Sequence, residues 1–136
     1  VPQPVAAQVI RDGVYYTADI MTRRIGDART VAQLLVIAPF EATRWQAIGQ
    51  LIRRFHEQGV YHADLNANNI MLDSDEKFYL IDFDRGTFKG KRRSWQQRNL
   101  KRLRRSLEKL KRANAKFYFE DSDWQHLLTG YQATQA

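Results

Sequence analysis

Two stretches decide how this chain folds: Tyr61-His62-Ala63-Asp64-Leu65-Asn66-Ala67-Asn68-Asn69-Ile70 and Leu80-Ile81-Asp82-Phe83-Asp84. The first leads into a short apolar run, Ile70-Met71-Leu72, and a second run, Phe78-Tyr79-Leu80-Ile81, follows the polar link Asp73–Lys77. Apolar runs joined by a short polar link read as a β-hairpin. Asp64 and Asn69 then share one loop ahead of the hairpin, and Asp82 sits at its far end. A hairpin folds back on itself, so Asp82 returns close to Asn69. Three oxygen-bearing side chains converge on one rim. Such ligands suit Mg²⁺, which keeps several waters and is usually shared with substrate phosphates.

The flanking segments carry their own periodicities. Trp45, Ile48, Ile52 and Phe55 recur at spacings of 3, 4 and 3, one face of a helix, with Gly59 where a C-terminal cap falls. Thr30-Val31-Ala32-Gln33 fits a capping box, so a short helix starts there and stops before Pro39. Val5–Ile10 and Val14–Ile20 read as strands around an Asp12-Gly13 turn. Downstream, Leu100, Leu103, Leu107 and Leu110 form a second helical stripe, with arginines and lysines on the other faces. Phe117, Tyr118, Phe119 and Trp124 are expected to pack in a last short helix. Trp45, Trp95 and Trp124 read as packing residues.

The paired stretches resemble the catalytic and metal loops of protein-kinase-like phosphotransferases, whose signature is H-x-D-L-x-x-x-N followed by D-F-G. His62, Asp64, Leu65 and Asn69 match the first element, and Asp82-Phe83 the start of the second. The strings His62–Ile70 and Ile81-Asp82-Phe83-Asp84-Arg85-Gly86, with the Arg/Lys-rich helix and Trp95 ahead of it, are most similar to the lipopolysaccharide-core kinase family. The resemblance implies an α+β, protein-kinase-like fold. Residues 1–24 would be the end of an N-terminal lobe (hairpin and hinge), and residues 25–136 a mainly helical C-terminal lobe. It implies ATP and Mg²⁺ as cofactors. Asp64 would accept or orient the proton of the attacking hydroxyl, with Asn66 near the transferred phosphate. Asn69 and Asp82 would hold the metal, and His62 would brace the loop. Met21 and Arg23 would lie at the adenine-contacting hinge, through their backbone. The acceptor implied is the 4-hydroxyl of the Kdo sugar on Kdo-lipid A, reached from a peripheral place on the cytoplasmic face of the inner membrane. Ala63 in place of an arginine, Asp84 in place of the glycine of D-F-G, and no following A-P-E argue against activation-loop regulation and a peptide substrate.

Composition bounds the alternatives. The chain has 136 residues, 43% of them hydrophobic, and no cysteine. One sizeable core is affordable, and thiol nucleophiles, disulfides and thiolate metal sites are excluded. The longest apolar run, Leu34–Phe40, is far short of the roughly 20 residues that cross a bilayer. Net charge is +7, unevenly placed: Arg85–Lys116 holds 14 basic residues against Glu108 alone, while the rest carries 8 basic residues and 14 acids. Such a segment attracts polyanions. Within the resemblance, Arg85, Arg92 and Arg93 would bind the anionic acceptor or the anionic inner-membrane surface. An antibiotic phosphotransferase, the alternative small-molecule kinase, suits this charge poorly because its acceptors are cationic. A degenerate lobe serving as a basic nucleic-acid module explains the charge but leaves Asp64, Asn69 and Asp82 without a purpose, so nucleic acid is disfavoured as a partner.

A kinase of this class also needs a glycine-rich lid and a lysine on an early strand. No G-x-G occurs among the 7 glycines, and the first lysine is Lys77. The expectation is that this is an N-terminally truncated fragment, inactive by itself.

Overall fold

The computed structural model describes residues 28–81, 87–88 and 93–133. The hairpin expected over residues 5–20 lies outside them, as do Met21, Arg23, Asp82, Arg85 and Arg92. Arg93 opens a helix, but its side chain is not among those described.

Thr30 ends a two-residue strand, β1 (Arg29–Thr30), and caps helix α1 (Val31–Leu35). Its hydroxyl accepts from the Gln33 N–H at 3.0 Å, and the Gln33 side-chain oxygen accepts from the Thr30 N–H at 2.9 Å. This reciprocal cap is the one the sequence predicts. Helix α2 (Ala42–Glu57) buries Trp45, Ile48, Leu51, Ile52 and Phe55 on the expected face. It ends where Gly59, at φ 75°, turns the chain in a conformation that costs glycine nothing.

Strand β2 (Val60–Tyr61) leaves that turn and pairs antiparallel with β5 (Thr87–Phe88). Between them lies the hairpin of β3 (Ile70–Leu72) and β4 (Phe78–Leu80), in the register Ile70↔Leu80. Strand β1 adds to β3 on the other side, giving a three-stranded sheet in the order β1-β3-β4. Asp73 organises the hairpin turn. One of its carboxylate oxygens accepts from the Asp75 and Lys77 N–H groups at 2.8 and 3.0 Å, and the other from the Tyr79 hydroxyl at 3.0 Å. Glu76 sits at φ 62° in the same turn and receives Arg44 of α2 through two contacts at 2.8 and 2.9 Å.

Helix α3 (Arg93–Ala113) buries Leu100, Leu103 and Leu107, with Leu110 half-buried. Trp95 lies within this helix rather than ahead of it. Helix α4 (Asp121–Gln132) closes the described structure and packs along α2. Their backbones meet at Gly49 and Gly130. A Cβ at Gly49 would collide with the Leu127 carbonyl, and one at Gly130 with the Gln46 backbone. The expectation for the tail holds for Trp124, which is helical and buried, and fails for residues 117–119. Those three form an extended link in which the Tyr118 N–H donates to the Leu35 carbonyl at 2.9 Å. Phe117 and Phe119 point into one core while Tyr118 lies between them half-buried, which is strand-like alternation.

Helices α1–α4 and strands β2–β4 contribute to one hydrophobic core, and Met71 and Tyr79 form a second small cluster with Ala28 and Ile81, so the architecture is α+β: a small sheet among helices. Among the described residues, no helix is long and apolar enough to cross a membrane.

Candidate active site

The loop from His62 to Asn69 bridges β2 and β3, and three neighbours hold it. Leu65 and Ala67 are fully buried and anchor it in the core. The Ala67 carbonyl accepts from the Ala32 N–H of α1 at 3.0 Å, and the Ala67 N–H donates to the Ser106 hydroxyl of α3 at 3.0 Å. The Asn69 carbonyl accepts from the Ile81 N–H at 2.9 Å, which ties the loop's end to the residue before Asp82.

His62 is buried and joined on both ring nitrogens. Nδ1 accepts from the Asp64 N–H at 3.1 Å, so Nε2 carries the hydrogen and donates to the Ile81 carbonyl at 2.6 Å. One imidazole thus links the loop's turn to the end of β4.

The loop closes on its own asparagines. The Asp64 carbonyl accepts from the Asn69 amide at 2.8 Å and from the Asn66 amide at 3.2 Å. The Asn66 side-chain oxygen in turn accepts from the Asn68 N–H at 2.8 Å. These contacts turn the Asp64 carboxylate outward, where its side chain is 53% exposed, with Arg102 Nη1 of α3 at 4.0 Å. Asn69 is 8% exposed. Because its nitrogen is committed to Asp64, its side-chain oxygen remains for a hard cation. That donor chemistry fits Mg²⁺. Among the described residues, no group of three or more His, Asp or Glu side chains is placed to hold a metal.

The structure brings Asp64, Asn66, Asn69 and His62 into one loop. A second set of residues behind it is less evident in the sequence. Asn99 of α3 donates to the His62 carbonyl at 2.8 Å, and its oxygen accepts from His56 Nε2 at 3.0 Å. His56 Nδ1 then accepts from the Tyr131 hydroxyl of α4 at 2.8 Å. The chain of bonds runs from α4 through α2 and α3 to the loop. Burial pushes the His56 imidazole down to about 4 from 6.5; the hydrogen bond to Asn99 opposes the shift, and the Arg53 charge adds to it. His56 is therefore neutral at pH 7, as these two bonds require. The sequence does hold a signal for Asn99: it falls on the phase of the leucine stripe, where a polar side chain must find a buried partner.

A loop held on three sides, with one carboxylate turned outward and one amide oxygen left for a cation, is an arrangement that phosphoryl transfer can use. Comparison with known sequences gives the family. The profile of the Lipopolysaccharide kinase (Kdo/WaaP) family matches residues 1–131, and the chain belongs to this family. It is 45% identical over 132 residues to a 3-deoxy-D-manno-octulosonic acid kinase of Xanthomonas euvesicatoria pv. vesicatoria, covering 97% of this chain and 52% of that protein. To the enzyme of the same name from Vibrio vulnificus strain YJ016 it is 39% identical over 135 residues, 99% of this chain and 56% of the relative. To that of Stenotrophomonas maltophilia it is 47% identical over 111 residues, 82% of this chain and 44% of the relative. The chain spans about half the length of the relatives it matches.

Proposed function

We propose that this chain carries the catalytic loop of an ATP-dependent kinase that phosphorylates the 4-hydroxyl of the Kdo sugar on Kdo-lipid A, at the cytoplasmic face of the inner membrane. The observation that carries the reading is the outward carboxylate of Asp64, on a residue whose backbone carbonyl is held by the Asn66 and Asn69 amides. The family's fold is protein-kinase-like, and residues 25–136 correspond to its C-terminal lobe, with residues 1–24 as the end of the smaller lobe and the hinge.

In this reading the acceptor oxygen attacks the γ-phosphorus of ATP. The new O–P bond forms as the bond from that phosphorus to the β,γ-bridging oxygen breaks, and ADP departs. The hydroxyl proton passes to the Asp64 carboxylate. Asn69 and Asp82 would hold Mg²⁺, which would supply positive charge where the phosphates bind. Asn66 stands near the transferred phosphoryl group, and His62 braces the loop. Met21 and Arg23 contact adenine through their backbone, while Arg85, Arg92 and Arg93 meet the anionic acceptor and membrane surface. Charge supports the last assignment: 14 basic residues in Arg85–Lys116 suit a phosphorylated glycolipid at an anionic bilayer.

The test is transfer of labelled phosphate from ATP to Kdo-lipid A by the complete gene product. Transfer that disappears with Asp82→Asn supports the reading. Absence of transfer by the unmodified protein, with ATP and Mg²⁺ saturating, overturns it.

A further inference from the structure

Helix α3 distributes its positive charge unequally. Arg104 is tied to Asp121 at 3.0 Å and to Glu108 at 3.9 Å, and its guanidinium stacks on Trp124. Lys111 is tied to Glu120 at 3.0 Å and to the Phe119 carbonyl at 2.7 Å. These cations fasten α3 to α4 and its lead-in. Arg102, Arg105 and Lys109 differ. Their spacing of 3 and 4 residues puts them on one stripe, and that stripe borders the catalytic loop. Among the described residues, Arg105 and Lys109 make no ion pair, and Arg102 has only the 4.0 Å approach to Asp64.

The stripe forms one wall of a groove of about 400 Å³ whose other wall is Asp64, Asn66 and Asn68. Ser106 on the same helix holds the Ala67 N–H, so the distance between the walls is pinned by a hydrogen bond. The groove is therefore cationic along one side and carries the proposed proton acceptor on the other. A ligand matching it carries an anionic group for one wall and a hydroxyl for the other.

We propose that Arg102, Arg105 and Lys109 form the subsite that receives the carboxylate of an acidic acceptor sugar and so presents its hydroxyl to Asp64. This deepens the kinase reading and rests on it, since the relatives' own name specifies an octulosonic acid. Arg85, Arg92 and Arg93 precede the stripe in the chain. Guanidinium groups suit a carboxylate because their planar N–H fork matches its two oxygens.

The experiment uses the complete gene product, Arg105→Gln and Lys109→Gln singly and together, and three acceptors: Kdo-lipid A, the free Kdo monosaccharide, and the monosaccharide with its acid group converted to a neutral amide. The expected result is a rise in acceptor KM of roughly tenfold per charge removed, with the KM for ATP holding. The neutral amide should be a poor acceptor for the unmodified protein and should lose little more with the double variant. Arg105→Lys should recover part of the affinity, since it restores the charge without the fork. An unchanged acceptor KM overturns the proposal and leaves the stripe a solvated face. A rise in the KM for ATP instead also overturns it, assigning the groove to the nucleotide. A rise for Kdo-lipid A but not for the monosaccharide overturns it in favour of the lipid phosphates. If the unmodified protein transfers no phosphate, the kinase reading itself fails, a result that none of the variant arms can mimic.

Discussion

Between α2 and α4 two glycines bring backbones into direct contact, whereas between the 62–69 loop and α3 the contact is made by side chains and leaves a groove. The first interface is mainly apolar: Trp45, Ile48 and Ile52 of α2 share one core with Trp124 and Leu127 of α4. The second is polar, and its bonds are single and directional: Asn99 to His62, Ser106 to Ala67. The contrast separates holding from acting. Close packing tolerates no added atom, so it makes a rigid platform. A hydrogen-bonded loop on that platform keeps its backbone fixed while its carboxylate faces solvent.

His56 joins the two regions, and perturbing it gives the largest expected effect on stability. Its folded-state value of about 4 lies below the ordinary 6.5, so the unfolded chain binds a proton across that interval and the folded chain does not. Stability is therefore full above about pH 6.5 and falls as pH drops toward 4, by about 3 kcal/mol. Urea unfolding at pH 7 and pH 4 measures it, and His56→Gln should flatten the difference. An equal loss in that variant would place the acid sensitivity elsewhere.

Asn99→Leu comes next. It strips a partner from both His56 and the His62 carbonyl, which are buried, at a cost of about 2–3 kcal/mol. Because the loop's support is lost, kcat should fall while the KM for ATP changes little. A purely structural Asn99 would lower stability without touching kcat.

Gly130→Ala probes the α2–α4 interface. The new methyl meets the Gln46 backbone, which cannot rotate away. A helix-propensity gain of about 1 kcal/mol offsets part of an overpacking cost of about 3 kcal/mol. The net loss of about 2 kcal/mol should appear in the urea midpoint. The smallest effect belongs to the surface: Arg44→Ala removes an exposed bidentate pair with Glu76 and should cost less than about 1 kcal/mol in the same experiment.

Much of the platform was legible in the sequence because its signals are local. The α2 face, the Thr30–Gln33 capping box and the β3–β4 hairpin each follow from residues a few positions apart. The link at 117–119 was misread as helix because three aromatics in a row suit either period, and only the bond to Leu35 decides between them. Strand β1 and the β2–β5 pair are two residues long, too short to carry a period. At the site, the loop residues were legible from their spacing. Asn99, His56 and Tyr131 meet only through tertiary packing. Nor could sequence tell which cations of α3 are neutralised, since Asp121 and Glu120 reach them from the next element.

In the proposed reaction Asp64 acts chemically and does not support the fold. The direct measurement is kcat and urea stability of Asp64→Ala in the complete gene product, side by side. The kcat for phosphate transfer should fall by roughly 10²–10⁴-fold, with stability within about 0.5 kcal/mol of the unmodified protein, as for other exposed positions. Near-normal kcat in a folded Asp64→Ala protein would contradict that role.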